Sequence, residues 1–251
     1  MRAAADLGRA AATTRRKLVR SLVERGLGGT LARAAVLPFR RLVGVVKGVA
    51  RARRKEAVAF DRRHGVDTAA NSDPGWMAEI ASPSWRHGTG YDPIPEAEFR
   101  RALEAVPHDL TGWTFVDYGS GKGKALLLAS ERPFARIVGV EYQPRLVAVA
   151  RENAARWREG ARSADIEVVE GDALDFPVPG GPLVLFFHDP FEAPVFERVL
   201  ERIAAALRTD PRPAWLVYHD PRCGDRVERA GFRPHARLAG GTVVYAAGVP
   251  S

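Results

Sequence analysis

The chain has 251 residues, 46% of them hydrophobic and 27% charged, which excludes a disordered, collagenous or membrane-embedded polypeptide and fits one folded domain with an appendage. Its single cysteine, Cys223, rules out an intrachain disulfide framework or a cysteine zinc cluster and suits a reducing, cytoplasmic setting. The net charge of +8 is uneven: residues 1–63 hold 17 Lys/Arg against 4 Asp/Glu, leaving 21 against 26 in the remainder, so a basic arm precedes a mildly acidic domain.

The arm, residues 1–60, is expected to be partly helical. TTRRKLVRSLVER over 13–25 places Leu18, Val19, Leu22 and Val23 on one helical face, with Thr13 or Thr14 as cap and Gly26, Gly28 and Gly29 as stop. A second apolar segment, 31–50, is broken by Pro38, and Arg51–Lys55 form a basic cluster. The first 30 residues lack the apolar core of a signal peptide, and no apolar run approaches the ~18 residues of a spanning helix. Two readings stay open for the arm: a loosely docked appendage, or a segment contacting an anionic membrane surface, peripherally at the inner membrane, or a partner protein. Nucleic acid is disfavoured, because no aromatic-rich basic stretch is present.

Residues 61–112 read as a lead-in or lid with one helix. They contain DRRHGVDT and the irregular SPSWRHGTGYDPIP, then a helix from Pro95 through Phe99, Leu103 and Val106. From 113 to 251, apolar strands (WTFVDYG, ARIVGVE, IEVVEGD, PLVLFFHD, AWLVYHD) alternate with helical segments such as 144–157 and 193–207. Leu146, Ala150, Asn153 and Trp157 share one side of the first; Phe196, Val199, Leu200, Ile203 and Leu207 share one side of the second. Continuous apolar strands buried on both faces predict an α/β, doubly wound, mostly parallel Rossmann-like sheet. FRPHARL and TVVYAAG, joined by Gly240-Gly241, predict a closing antiparallel hairpin.

The first strand runs into Asp117-Tyr-Gly119-Ser-Gly121-Lys-Gly123. Glycines allow a sharp turn and close approach of a ligand to backbone, and the following helix offers its N–H groups to the same place. A phosphate-cradling P-loop fails, since Lys124 stands where its second glycine must fall. A dinucleotide turn is weakened by the same residue at its third glycine. The pattern acidic-x-G-x-G-x-G fits throughout. Strand two then ends in Glu141, placed to accept from a ribose diol; strand three ends in Asp172-Ala173, where a carboxylate can accept from an adenine amino group; strand four ends in His188-Asp189-Pro190-Phe191. All four lie at carboxyl ends of strands, where open α/β sheets bind ligands.

DYGSGKGK, GVEY, EGDAL and FFHDPF together resemble the motif series of class I S-adenosylmethionine-dependent methyltransferases, over about 113–247. FDRRHGVDT and HGTGYDPIP also resemble a bacterial subgroup of that class without a defined substrate. The resemblance implies S-adenosylmethionine as cofactor. Asp117 would organise the turn near the methionine amino group, with Gly119, Ser120, Gly121 and Gly123 beneath methionine and ribose. Glu141 would hold the ribose, Tyr142 the adenine face, and Asp172 with Ala173 the adenine edge. Lys122 and Lys124 would repel a sulfonium at short range and are expected to point to solvent or along the helix.

A sulfonium methyl needs a nucleophile held in line, and a base only if that nucleophile starts protonated. His188 is the candidate base and Asp189 the candidate acceptor that aims an amine or hydroxyl. Pro190 would stiffen the turn and Phe191 line a substrate pocket. Members that methylate amines carry Asn/Asp-Pro-Pro-aromatic here, and this chain has one proline fewer. His188 as a structural histidine and Asp189 as a turn former are the bland alternatives; for His219-Asp220-Pro221 the turn role is preferred. Tyr91 would lie against the cofactor or simply pack as a loop aromatic. No close histidine spacing suggests a metal site. The methyl acceptor, an N or O nucleophile, would belong to a small molecule, lipid or protein. Two other classes compete: a nicotinamide-dinucleotide oxidoreductase, and a non-catalytic cofactor-binding module anchored by its arm.

Overall fold

The structure, a computed structural model, describes residues 48, 50–69, 91–106, 109–157 and 166–248. The chain divides into two units, Met1–Lys55 and Glu56–Ser251. Of the first, residues 48 and 50–55 are described and are helical; the amphipathic segment read at 13–25 lies outside the described residues, as do 70–90 of the lead-in. Among the described residues no helix is long and apolar enough to cross a membrane.

The second unit opens on helical residues 56–64, α1, followed by α2 (Glu96–Glu104). Pro95 enters α2 in extended conformation, Glu96 and Glu98 sit in its first turn, and Phe99, Ala102 and Leu103 form its buried face, as a 3–4 spacing of apolar residues requires. Then β1 (Thr114–Tyr118), α3 (Lys124–Ala129), β2 (Arg136–Glu141), α4 (Pro144–Arg156), β3 (Ile166–Glu170) and β4 (Leu183–His188) alternate. The chain finishes with α5 (Ala193–Thr209), β5 (Ala214–His219), α6 (Gly224–Arg229), β6 (Arg233–Arg237) and β7 (Thr242–Ala247). Pro144 starts α4 while the Gln143 side chain accepts from Leu146 N, a proline-led and capped start. The buried stripe of α4 is Val147, Ala150 and Asn153; Leu146 lies just beside it.

The seven strands are ordered β3-β2-β1-β4-β5-β7-β6. The first five are parallel; β7 runs antiparallel to β5 and to β6. This is the doubly wound, Rossmann-like sheet with a closing antiparallel pair that the strand pattern predicts. Alternate side chains fill two layers. Phe115, Val184, Phe186, Trp215 and Val217 pack with Phe60, Phe99, Leu126 and Val147 on one face. Val116, Tyr118, Leu185, Phe187 and Tyr218 pack with Phe196, Val199 and Val227 on the other. Because β2 and β3 lie to one side of β1 and β4 to the other, the order reverses between β1 and β4, and a crevice opens there at the carboxyl ends. The outer strands β3 and β6 expose Glu167 and Glu170, and Arg233, Pro234, His235 and Arg237.

Candidate active site

That crevice is a cleft of about 690 Å3, open to solvent and lined by Tyr91, Asp117, Gly119–Gly121, Lys124, Glu141, Tyr142, His188, Pro190 and Phe191 among others. The turn after β1 folds back on β2: Gly119 N and Ser120 N both donate to Val140 O, at 2.8 and 3.1 Å. Glu141 locks it, its Oε2 accepting from Gly121 N and its Oε1 from Gln143 N, each at 2.9 Å. Gly121 has φ +53°, and a Cβ there would stand 2.3 Å from the Tyr91 ring. Gly119 has φ +84°, and its Cβ would stand 2.5 Å from Pro190 Cβ. Both positions therefore demand glycine, for conformation and for space.

Asp117 and Glu141 are 3% and 5% exposed. Burial drives the Asp117 carboxyl well above the ordinary range, and the charge of Glu141 adds to this. Burial raises Glu141 as well, against the backbone N–H groups of Gln143, Gly121 and Tyr142. Two carboxylates that water cannot stabilise are poised for a cation. The Ser120 hydroxyl, buried beside them, has no hydrogen-bond partner among the described residues. Tyr142 is pushed up to about 12 by burial, then by the charges of Glu141 and Asp172.

Lys122 and Lys124 do not point to solvent, the first of the two placements expected. Both are 2% exposed. Lys122 Nζ donates to Asp67 Oδ1 at 2.7 Å and Ala69 O at 3.0 Å. Lys124 Nζ lies 3.1 and 3.0 Å from the two Glu56 oxygens and 4.6 Å from the Phe60 ring centroid. The upstream stretch that supplies these acids is itself fastened. Asp61 accepts from Thr68 N and Ala69 N, both at 2.8 Å, and Asn153 exchanges hydrogen bonds with Asp67 N and O, both at 2.8 Å. Tyr91 donates its hydroxyl to Thr68 O at 2.6 Å while its ring covers Gly121. Burial and the acids Asp61, Asp67 and Asp117 drive the Tyr91 hydroxyl well above its ordinary pKa, so it remains a donor.

On the opposite rim, β4 and β5 set His188 beside His219, ring centroids 4.5 Å apart. His188, Pro190 and Phe191 line the cleft; the intervening Asp189, at φ +44°, turns away from it. Its Oδ2 is 2.7 Å from Arg222 Nε, and its Oδ1 accepts from the Tyr218 hydroxyl at 3.3 Å. Burial raises the Asp189 carboxyl, and Arg222 pulls it back. His219 is fully buried, with Nδ1 2.8 Å from Thr242 Oγ1 and Nε2 3.4 Å from Glu98 Oε2.

Residues 115–210 match the methyltransferase domain family. Ribosomal protein L11 methyltransferase of Deinococcus radiodurans is 32% identical over 39% of this chain and 33% of its own. Demethylmenaquinone methyltransferase of Thermus thermophilus is 35% identical over 32% of each chain. The match thus spans about a third of the length of these relatives. An RNA methyltransferase structure from Salinibacter ruber, in complex with S-adenosyl-L-homocysteine, aligns at 23% identity and a TM-score of 0.41, covering 61% of this chain and 91% of that one. Residues 115–210 are thus similar to a methyltransferase domain. Nothing in these matches supports the nicotinamide reading.

The structure brings Tyr91, Asp117, Gly119, Ser120, Gly121, Glu141, Tyr142, His188, Pro190 and Phe191 to one cleft, while Gly123 packs against Ala150 instead. Asp172 and Ala173 do not line this cleft; Asp172 Oδ1 accepts from Leu174 N at 2.9 Å, and its charge reaches Tyr142. The reading by histidine spacing found no metal ligands, yet ligand atoms of His188, His219 and Asp220 lie within 4.8 Å of one another. Strand pairing, and not chain spacing, assembles that group. Asp61 and Asp67 lie in the FDRRHGVDT stretch and Asn153 on a helix face, but nothing in their local sequence marks them as fastening the turn.

Proposed function

We propose that the chain transfers the methyl group of S-adenosylmethionine to an N or O nucleophile of a small-molecule, lipid or protein acceptor. The observation that carries this is the pair of buried carboxylates, Asp117 and Glu141, on one wall of the cleft beside a glycine turn. The donors and acceptors fit a nucleoside bearing positive charge: two carboxylates raised by burial and an unsatisfied Ser120 hydroxyl. S-adenosylmethionine supplies an already electrophilic methyl.

In this reading Asp117 accepts from the methionine ammonium. Glu141 uses the lone pairs left by Gly121 and Gln143 to accept from ribose hydroxyls. Tyr142 lies against adenine, and Asp172 with Ala173 closes the adenine edge. Tyr91, fixed by Thr68, covers the turn and excludes water. His188 takes the proton of a protonated nucleophile, and Pro190 and Phe191 wall the acceptor pocket. Asp189 acts through the turn: clamped by Arg222 and Tyr218, it aims His188 and Pro190. Residues 1–60 are read as a basic arm for an anionic surface or partner protein, 61–112 as a lead-in, and 113–251 as the catalytic domain.

Isothermal calorimetry with S-adenosylmethionine and its demethylated product tests the cofactor half; absence of heat from both, on folded protein, would sink it. Transfer of labelled methyl into fractionated lysate then identifies the acceptor class.

A further inference from the structure

On the cofactor reading above, the turn that holds Lys122 and leads into Lys124 would receive a cation, and Lys124 is part of the cleft wall. Bare ammonium groups there would repel a sulfonium. Each is instead paired with an acid from the stretch just upstream of the domain: Lys124 with Glu56 and Lys122 with Asp67. These acids are held in place. Glu56 Oε1 also accepts from Glu96 N at 3.1 Å, and Asp67 is bracketed by Asn153, whose Nδ2 donates to Lys122 O at 2.9 Å as well. The same side chain thus ties the upstream stretch to the turn itself.

We propose that Glu56, with Asp67 beside it, sets the charge selectivity of the cofactor cleft: by holding Lys124 and Lys122 as internal ion pairs, it keeps the site favourable to the sulfonium of S-adenosylmethionine relative to the neutral thioether of S-adenosylhomocysteine. The inference rests on the cofactor reading above. The two ligands share the amino acid and the nucleoside and differ by one positive charge at sulfur. A structural contribution of Glu56 would act on both alike; an electrostatic one separates them. One uncompensated unit charge acting over ~10 Å at an effective dielectric near ~20 corresponds to roughly tenfold in affinity.

The test is calorimetry of both ligands on the full chain, for wild type, Glu56→Gln, Asp67→Asn and the double variant Glu56→Gln/Lys124→Met. Glu56→Gln is expected to weaken S-adenosylmethionine about tenfold more than S-adenosylhomocysteine. Asp67→Asn, at the more exposed acid, should act in the same direction by about threefold and carries the test if Glu56→Gln does not fold. The double variant removes both charges and should restore the wild-type ratio. The excess penalty should also shrink as pH rises, because burial holds the Lys124 ammonium below its ordinary pKa. Equal weakening of both ligands in folded variants, or a ratio that the double variant leaves unrestored, would overturn the inference while leaving the cofactor reading intact. A wild-type chain that binds neither ligand would overturn the cofactor reading and this inference with it.

Discussion

On the β1–β2 rim of the cleft, Glu141 grips the glycine turn through backbone N–H groups, while Tyr91, Lys122 and Asn153 tie that turn to residues 67–69. On the β4–β5 rim, Asp189 is held by Tyr218 at 3.3 Å and by Arg222, whose side chain is 74% exposed. The first rim is over-determined and buries two carboxyl groups. The second includes an ion pair whose arginine is largely solvated. On the proposed function, the more heavily fastened rim is the one that holds the cofactor.

Breaking the first rim should have the largest effect. Gly121→Val puts a branched side chain at φ +53° into the space of the Tyr91 ring; cofactor affinity should fall at least a hundredfold in calorimetry, and a fall below tenfold would show that the turn tolerates displacement. Asp117→Asn should weaken S-adenosylmethionine by about 1.5–3 kcal/mol, the range for hydrogen bonds to a charged group. The same change should raise the apo Tm at neutral pH. A carboxyl whose folded pKa is raised contributes stability below its unfolded pKa and loses it as pH rises through the folded value. Apo stability should thus decline as pH climbs out of the acid range, while cofactor affinity increases over the same window. A flat apo Tm across it would remove the buried-charge account.

Arg222→Ala sharpens the comparison from the other side. Cofactor affinity should stay within about twofold and stability within ~1 kcal/mol, while methyl transfer to the identified acceptor drops; loss of cofactor binding would show the rims to be coupled. The smallest expected effect concerns the arm. Removing residues 1–55 should leave cofactor binding intact and lower association with anionic vesicles, as cosedimentation would report.

The glycine turn and the acids closing β1 and β2 were legible because each is local: an apolar run stops, and chemistry begins within seven residues. The sheet was legible for the same reason, from continuous apolar strands. The lysines were not. Their partners stand 55 and 68 residues upstream, and short-range pattern gives a lone lysine on a helix start no cause to turn inward. Asp189 follows His188, which lines the cleft, so alternation sets it on the opposite side, where it meets Tyr218 and Arg222. His219 and His188 meet only because β4 pairs with β5 in register, a fact of topology that spacing along the chain conceals.

The outer strands have a further consequence. A β-sheet border is an invitation to a second molecule, since its unpaired amides can template another strand. Here β6 offers Arg233, Pro234 and Arg237 and slips register between Pro234 and Ala236, while β3 offers Glu167 and Glu170. A ring without an amide hydrogen and a kink disfavour strand addition at β6, and like charge disfavours pairing β6 with β6 or β3 with β3.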